Sequence, residues 1–327
     1  MFDIAGILKF VNDSGIGKII GGAISKINKE TPLAKELSFH RSSFVNVSAE
    51  FEEQATEVAT WSAVMEQQYA GKSLKLDRGY LNLEIWLEPF EAGGSQVARK
   101  KSTIWEIIKK ANHHTVLLGC PGTGKTTTLK AIARALLMGD RKVANFYPIP
   151  ILIPLREKTS GQSLFSALLL YIGVETSAPP NFFEKPDAIA SFQKAQLKVL
   201  AQILNEEKFI LILDGYDELP LEEKRAFAGE FQSLTKNVTR SLIILTSRTA
   251  DFSYSSVNTE AYEIATLSLE QIHRFVDNFF ADSPDLAKDA KEEIVERKLL
   301  GADAIPLTLI YLCLIYRHHG KLFNSRR

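Results

Sequence analysis

Lys plus Arg and Asp plus Glu each total 39 among the 327 residues, so the formal net charge is zero. That balance argues against a nucleic-acid coat protein, although it leaves room for a local basic patch. Apolar residues make up 45%, ample for packed cores, and two cysteines, Cys120 and Cys313, are too few for a disulfide framework. There is no charged start followed by a small-residue cleavage site, and no apolar run approaches the ~18 residues of a membrane span. A soluble, cytoplasmic protein is expected.

The chain opens with two helical patterns inside residues 1–28. Ile4, Ile7, Leu8 and Val11 have helical spacing, as do Ile16, Ile19, Ile20, Ala23, Ile24 and Ile27. Asp13 or Ser14 can cap the second segment. Two readings stand: an amphipathic pair that meets a membrane surface or a partner protein, or a hairpin folded onto its own domain. Gly15, Gly17, Gly21 and Gly22 lower its intrinsic helicity. Ser48 to Tyr69 reads as a further helix with a stripe of Phe51, Ala55, Val58, Trp61 and Met65. Tyr80 to Leu87 alternates as a half-buried strand does. Pro89 and Gly93-Gly94-Ser95 mark a linker, which sets a boundary between Pro89 and Ser102. Thr103 to Ala111 reads as a helix.

From there strands and helices alternate, the pattern of a parallel sheet covered by helices. Strands are expected at 115–118, 145–154, 208–213, 241–246 and about 261–265, with helices near 127–137, 163–172, 187–204 and 222–234. Pro148, Pro150 and Pro154 make the second strand read as an edge strand or an irregular one. Helices at 268–281, 284–298 and 305–318 follow without a strand between them.

Gly119-Cys120-Pro121-Gly122-Thr123-Gly124-Lys125-Thr126 fits the pattern G-x-x-x-x-G-K-[ST] between an apolar strand and a helix that begins near Thr127. The glycines let successive N–H groups point at phosphate oxygens, and the helix N-terminus adds partial positive charge. Lys125 is placed to reach β- and γ-phosphates, and the Thr126 hydroxyl to ligate Mg²⁺. Cys120 inside the loop is either a thiol activated by the helix N-terminus or a small side chain that fits. Downstream, the strand Phe209 to Leu213 runs into Asp214-Gly215-Tyr216-Asp217-Glu218. Asp214 is the second Mg²⁺ residue by position, and Asp217 and Glu218 are candidates to polarise a water. Thr246-Ser247-Arg248 ends the strand expected beside that one. Arg248 there either faces a γ-phosphate or is a surface arginine paired with Asp251. Arg156, after the second strand, is a weaker candidate. The histidines have no metal-ligand spacing, so Mg²⁺ is the one metal expected.

With both halves of the site quoted, residues 100 to 320 resemble the NACHT domain, within the signalling (STAND) branch of AAA+-like P-loop ATPases. The diagnostic match is a small residue, Gly215, after Asp214, with acids three residues on. Pro150 to Arg156, Thr246 to Arg248 and Ala304-Ile305-Pro306-Leu307 also fit, the last like the proline-bearing segment that packs near the adenine. Tyr80 to Leu87 resembles what precedes the core in bacterial members, which act against phage. The resemblance implies an α/β P-loop NTPase with a five-stranded, mostly parallel sheet between helices. It implies an N-terminal effector or adaptor domain (1–92, mainly helical), a nucleotide-binding domain (100–266) and a helical subdomain (267–327). It implies ATP/ADP and Mg²⁺ as ligands, Thr127 and Pro306 among the nucleotide contacts, slow ATPase activity and homo-oligomers in the ATP state. Family members continue into a winged helix and a sensor region, for which the residues after 318 are too few. The competing reading is a nucleotide-binding interaction module that hydrolyses little. A motor is disfavoured, since no pore-loop aromatic run or basic stripe is evident.

Overall fold

The computed structural model describes residues 56–58, 60–62, 64–69, 72–75, 82–87, 100–110, 113–137, 149–172, 174, 187–206, 209–252, 258–296 and 304–322. Residues 1–28, the linker at 93–95 and the first part of the second expected strand lie outside them.

Short β-branched and leucine-rich runs form most of the parallel strands and are buried on both faces, as a sheet covered by helices on both sides requires. Five run parallel: β5 (His114–Leu118), β6 (Ile149–Pro154), β7 (Phe209–Asp214), β8 (Leu242–Ser247) and β9 (Thr259–Ile264). Their spatial order is β9-β5-β8-β7-β6, so β6 sits at the edge, where its prolines cost no ladder bond inside the sheet. β8 lies between the strand that feeds the glycine loop and the strand that feeds Asp214. All three therefore deliver their C-terminal ends to one crevice.

Among the described residues the sheet has seven strands, not the five expected. β3 (Glu84–Trp86) pairs antiparallel with β9, Ile85 opposite Ile264, and β4 (Lys101–Thr103) pairs antiparallel with β3. β9 would otherwise present a row of unpaired N–H and C=O groups, and the upstream segment covers it. Ile85 is fully buried in the same core as the parallel strands. The stretch placed before the boundary between Pro89 and Ser102 thus contributes a strand to the sheet.

A second difference falls at residues 64–69. In place of the end of a helix, β1 (Val64–Tyr69) pairs antiparallel with β2 (Lys72–Lys75) in a separate two-stranded sheet. Helical residues lie just before it at 56–58 and 60–62, where Val58 is buried and Trp61 packs on the core. The helical spacing of Trp61 and Met65 is overridden by the pairing available to the next segment.

Helices α1 (Ile104–Lys110), α2 (Lys125–Leu137), α3 (Leu164–Tyr171), α4 (Ala188–Glu206) and α5 (Leu221–Asn237) belong to the sheet domain. α6 (Leu269–Phe279), α7 (Pro284–Glu296) and α8 (Pro306–His319) pack on one another after the last strand. α6 starts on a capping box, Ser268 and Gln271 satisfying each other's backbone N–H. α8 has Pro306 at its start and Gly320 in the left-handed conformation at its end. No helix among the described residues is long and apolar enough to cross a membrane.

His114, at the start of β5, is a structural staple. Its Nε2–H donates to the carbonyls of Val238 (3.0 Å) and Thr235 (3.2 Å), while Nδ1 accepts the N–H of Ile243 (3.2 Å). That set of bonds requires the neutral ring, and burial pulls its pKa below the ordinary 6.5. The unfolded chain therefore takes up the proton first, so the stability His114 confers is present above about pH 6.5 and is lost as pH falls. His114→Leu should lower stability at pH 7.5 by about 1–3 kcal/mol, since three backbone groups each lose a hydrogen bond. Urea midpoints measured from pH 5 to 8 should fall less on the acid side in that variant than in the parent chain.

Candidate nucleotide site

The glycine loop is shaped by its own backbone. Thr123 Oγ1 donates to the Cys120 carbonyl at 2.8 Å, and the Thr128 N–H closes the first turn of α2 on the Gly124 carbonyl at 2.8 Å. Lys125 Nζ reaches back to the carbonyls of Gly119 (2.7 Å) and Cys120 (3.3 Å). Burial lowers the pKa of this amine, opposed chiefly by the charge of Asp217. Gly122 has φ +76°, and a Cβ there would come within 2.7 Å of the Cβ of Leu307. A side chain is excluded because the start of α8 sits on the loop, with the Leu307 N–H 3.3 Å from the Gly122 carbonyl.

Asp214 ends β7 under two hydroxyls. Thr246 Oγ1 donates to Oδ1 at 2.6 Å and Thr126 Oγ1 to Oδ2 at 2.9 Å, while the Gly215 N–H donates to Thr246 Oγ1 at 2.9 Å. Burial raises the pKa of Asp214, and these hydroxyls work against the rise. Gly215 takes φ +87°, and a Cβ would meet the Glu218 Cδ at 3.1 Å, so the turn after Asp214 requires glycine to bring Glu218 back over the strand end. A buried carboxylate beside a hydroxyl is a hard-oxygen donor set of the kind Mg²⁺ takes.

The two acids that follow are in different states. Asp217 Oδ2 meets Arg248 Nε at 2.8 Å, and its Oδ1 accepts the Arg248 backbone N–H at 3.1 Å. Asp251, the alternative partner of Arg248, pairs with Lys224 instead (3.1 Å). The Glu218 carboxylate has no hydrogen-bond or ion-pair partner among the described residues, and burial raises its pKa. Arg156 lies against Glu157 at 3.6 Å, and its charge is felt at both Asp214 and Glu218.

One cavity of about 320 Å³ gathers most of the expected site: Pro121, Gly122, Gly124, Lys125, Thr126, Thr127, Asp214, Asp217, Glu218, Arg248 and Pro306. Gly119, Cys120 and Thr123 form the back of the loop and do not line it. The volume is that of a small-ligand site. One part of the wall carries the charged groups. The rest includes Leu83, Phe275, Leu307 and Ile310. Sequence reasoning did not single out Leu83, Phe275 or Ile310 for the site. Leu83 is the residue before β3, and its Cδ1 would be 3.1 Å from a Cβ on Gly124. Only the joining of β3 to the sheet brings it there.

A family model for the NACHT domain matches residues 113–283, more than half of the chain. No curated protein matches. Among solved structures, the chain is similar to the Aeropyrum pernix Orc1 protein in complex with DNA, at 14% identity over 65% of this chain and 57% of that one, TM-score 0.40. It is also similar to a signal transduction ATPase with numerous domains (STAND) from Pyrococcus horikoshii, which carries a tetratricopeptide repeat sensor. There the identity is 16% over 61% of this chain and 27% of that one, TM-score 0.36. This chain spans little more than half of the first structure and about a quarter of the second. The phosphate-loop geometry and the carboxylate turn both fall within the matched span, and the chain belongs to the NACHT domain family of nucleotide-binding P-loop NTPases.

Proposed function

We propose that the chain is an ATP-driven signalling switch that binds ATP with Mg²⁺, hydrolyses it slowly and assembles into homo-oligomers in the triphosphate state. The carrying observation is the convergence of Lys125, Thr126, Asp214, Glu218 and Arg248 on one cavity that also has an apolar wall. In this reading the backbone of Gly119 to Gly124 and the start of α2 receive the phosphates, and Lys125 neutralises the β- and γ-phosphates. Thr127 adds a contact at the helix start. Thr126 and Asp214 would hold Mg²⁺, which when bound supplies charge neutralisation at the β- and γ-oxygens. Arg248 reads the terminal phosphate. The adenine packs against Pro306 and its apolar neighbours.

Hydrolysis requires a water whose oxygen bonds to the γ-phosphorus as the bond to the β–γ bridging oxygen breaks and ADP leaves. Glu218, without a hydrogen-bond or ion-pair partner among the described residues and with a pKa raised by burial, is the better base for the water's proton, because Asp217 is engaged by Arg248. That engagement also favours a second reading, a nucleotide-binding interaction module with little turnover.

The division of labour we propose runs from an effector or adaptor segment in residues 1–92, through the nucleotide domain at 100–266, to the helical subdomain at 267–327. Strand β3 ties the end of the first to the second. The proposed setting is cytoplasmic, in bacterial defence against phage, supported by the resemblance of Tyr80 to Leu87 to bacterial members. Light scattering tests the switch: the particle should grow with a non-hydrolysable ATP analogue and stay unchanged with ADP. The same mass in both nucleotides would leave a static binder.

A further inference from the structure

Asp217 and Arg248 form an asymmetric pair. The carboxylate is only 7% exposed, whereas the guanidinium is 52% exposed and reaches it from the solvent side. Both carboxylate oxygens are used, one by the Arg248 side chain and one by its backbone N–H. Both residues line the cavity that holds Lys125. Arg248 Nε lies 2.8 Å from Asp217, so a terminal phosphate that draws the whole guanidinium to itself must break this pair. Moving the guanidinium to a phosphate leaves a nearly buried carboxylate without its cation, and that is unfavourable.

We propose that Asp217 is a specificity-determining residue: it competes with the terminal phosphate for Arg248 and so sets how strongly the site prefers triphosphate to diphosphate. The proposal rests on the reading of Arg248 as the γ-phosphate reader. With a diphosphate bound, the guanidinium stays on Asp217. With a triphosphate it swings to the γ-oxygens, while the Arg248 N–H remains on Asp217 Oδ1 and keeps the turn in place. The two nucleotides then differ in whether the ion pair is broken, and Asp217 reduces the discrimination that Arg248 alone would give. Glu218 on the same turn has no such partner, so the two acids have separate roles.

The test is a double-mutant cycle on the full chain, with affinities measured for Mg²⁺-ADP and a Mg²⁺-bound non-hydrolysable ATP analogue. Asp217→Asn keeps an oxygen for the Arg248 N–H and removes the charge; it should raise the triphosphate-over-diphosphate affinity ratio about tenfold. Arg248→Gln should lower that ratio. In the double variant Asp217→Asn should no longer have an effect, a non-additivity that a merely structural role for Asp217 would not produce. Asp217→Ser serves the same purpose if the amide variant does not fold. A ratio unchanged or lowered by Asp217→Asn, while Arg248→Gln lowers it, overturns the proposal and leaves the reading of Arg248 intact. A ratio unmoved by Arg248→Gln overturns the reading of Arg248, and the proposal with it.

Discussion

Lys125→Ala is expected to abolish ATP binding at micromolar protein, with affinity reduced at least about a hundredfold. The amine is half-buried at the start of α2, and burial already disfavours its charged form. A phosphate pair at that point would supply the negative charge that the site otherwise draws from Asp217 and Asp214. Two charge-assisted hydrogen bonds to phosphate, at roughly 1.5–3 kcal/mol each, correspond to a loss of about 10²–10⁴ in affinity when the amine is removed. The substitution also leaves the Gly119 and Cys120 carbonyls without that donor. Thermal unfolding of the variant is therefore recorded beside its binding curve. Undiminished binding of labelled ATP by a folded Lys125→Ala chain would overturn the site assignment.

Glu218→Gln should leave ATP binding within about twofold and slow hydrolysis by about 10²–10³-fold, the range of a lost general base. The amide keeps the shape that packs on Gly215 but cannot take a proton from water. A pH profile separates this role from a structural one. The Glu218 carboxyl has its pKa raised by burial, so the active, ionised form is lost as pH falls through a value above the ordinary 4.5. The parent chain should show that acid limb in its turnover and Glu218→Gln should not. Equal single-turnover rates for both chains would favour the module that binds nucleotide and hydrolyses little. Asp217→Ala is expected to slow turnover as well, because the turn loses the carboxylate that accepts the Arg248 backbone N–H and holds the turn in place.

The parts of the site that were legible in the sequence are those set by a few consecutive residues. A glycine loop between an apolar strand and a helix needs only local backbone freedom and the start of α2. The carboxylate after β7 needs only the end of an apolar run. The prolines of β6 left an edge or an irregular strand open, because a missing N–H restricts where a strand can lie, and the sheet order puts β6 at the edge. What was hidden depends on residues far apart in the chain. Ile85 meets Ile264, Leu83 reaches Gly124, and Leu307 sits on Gly122. No spacing rule links such positions. The helix expected to run through Met65 failed for the same reason: its period was right, but β2 offered residues 64–69 a ladder.

The pairing of Arg248 was open between two readings, a phosphate reader and a surface pair with Asp251. Asp251 is three residues from Arg248 in the chain, whereas Asp217 is 31 residues away on another strand's turn. The fold chose Asp217, because β8 is hydrogen-bonded beside β7 and sets Arg248 against the turn after Asp214.

The sequence by itself determined that this chain carries a phosphate loop and a carboxylate turn on an α/β sheet, since each follows from short-range backbone and side-chain chemistry. Only the tertiary structure decided that, among the described residues, seven strands form the sheet, the cavity has an apolar wall, and Asp217 is tied to Arg248 while Glu218 has no hydrogen-bond or ion-pair partner. Those facts rest on pairing and packing between segments distant in the chain, where burial and hydrogen-bond satisfaction over the whole domain outweigh local preference.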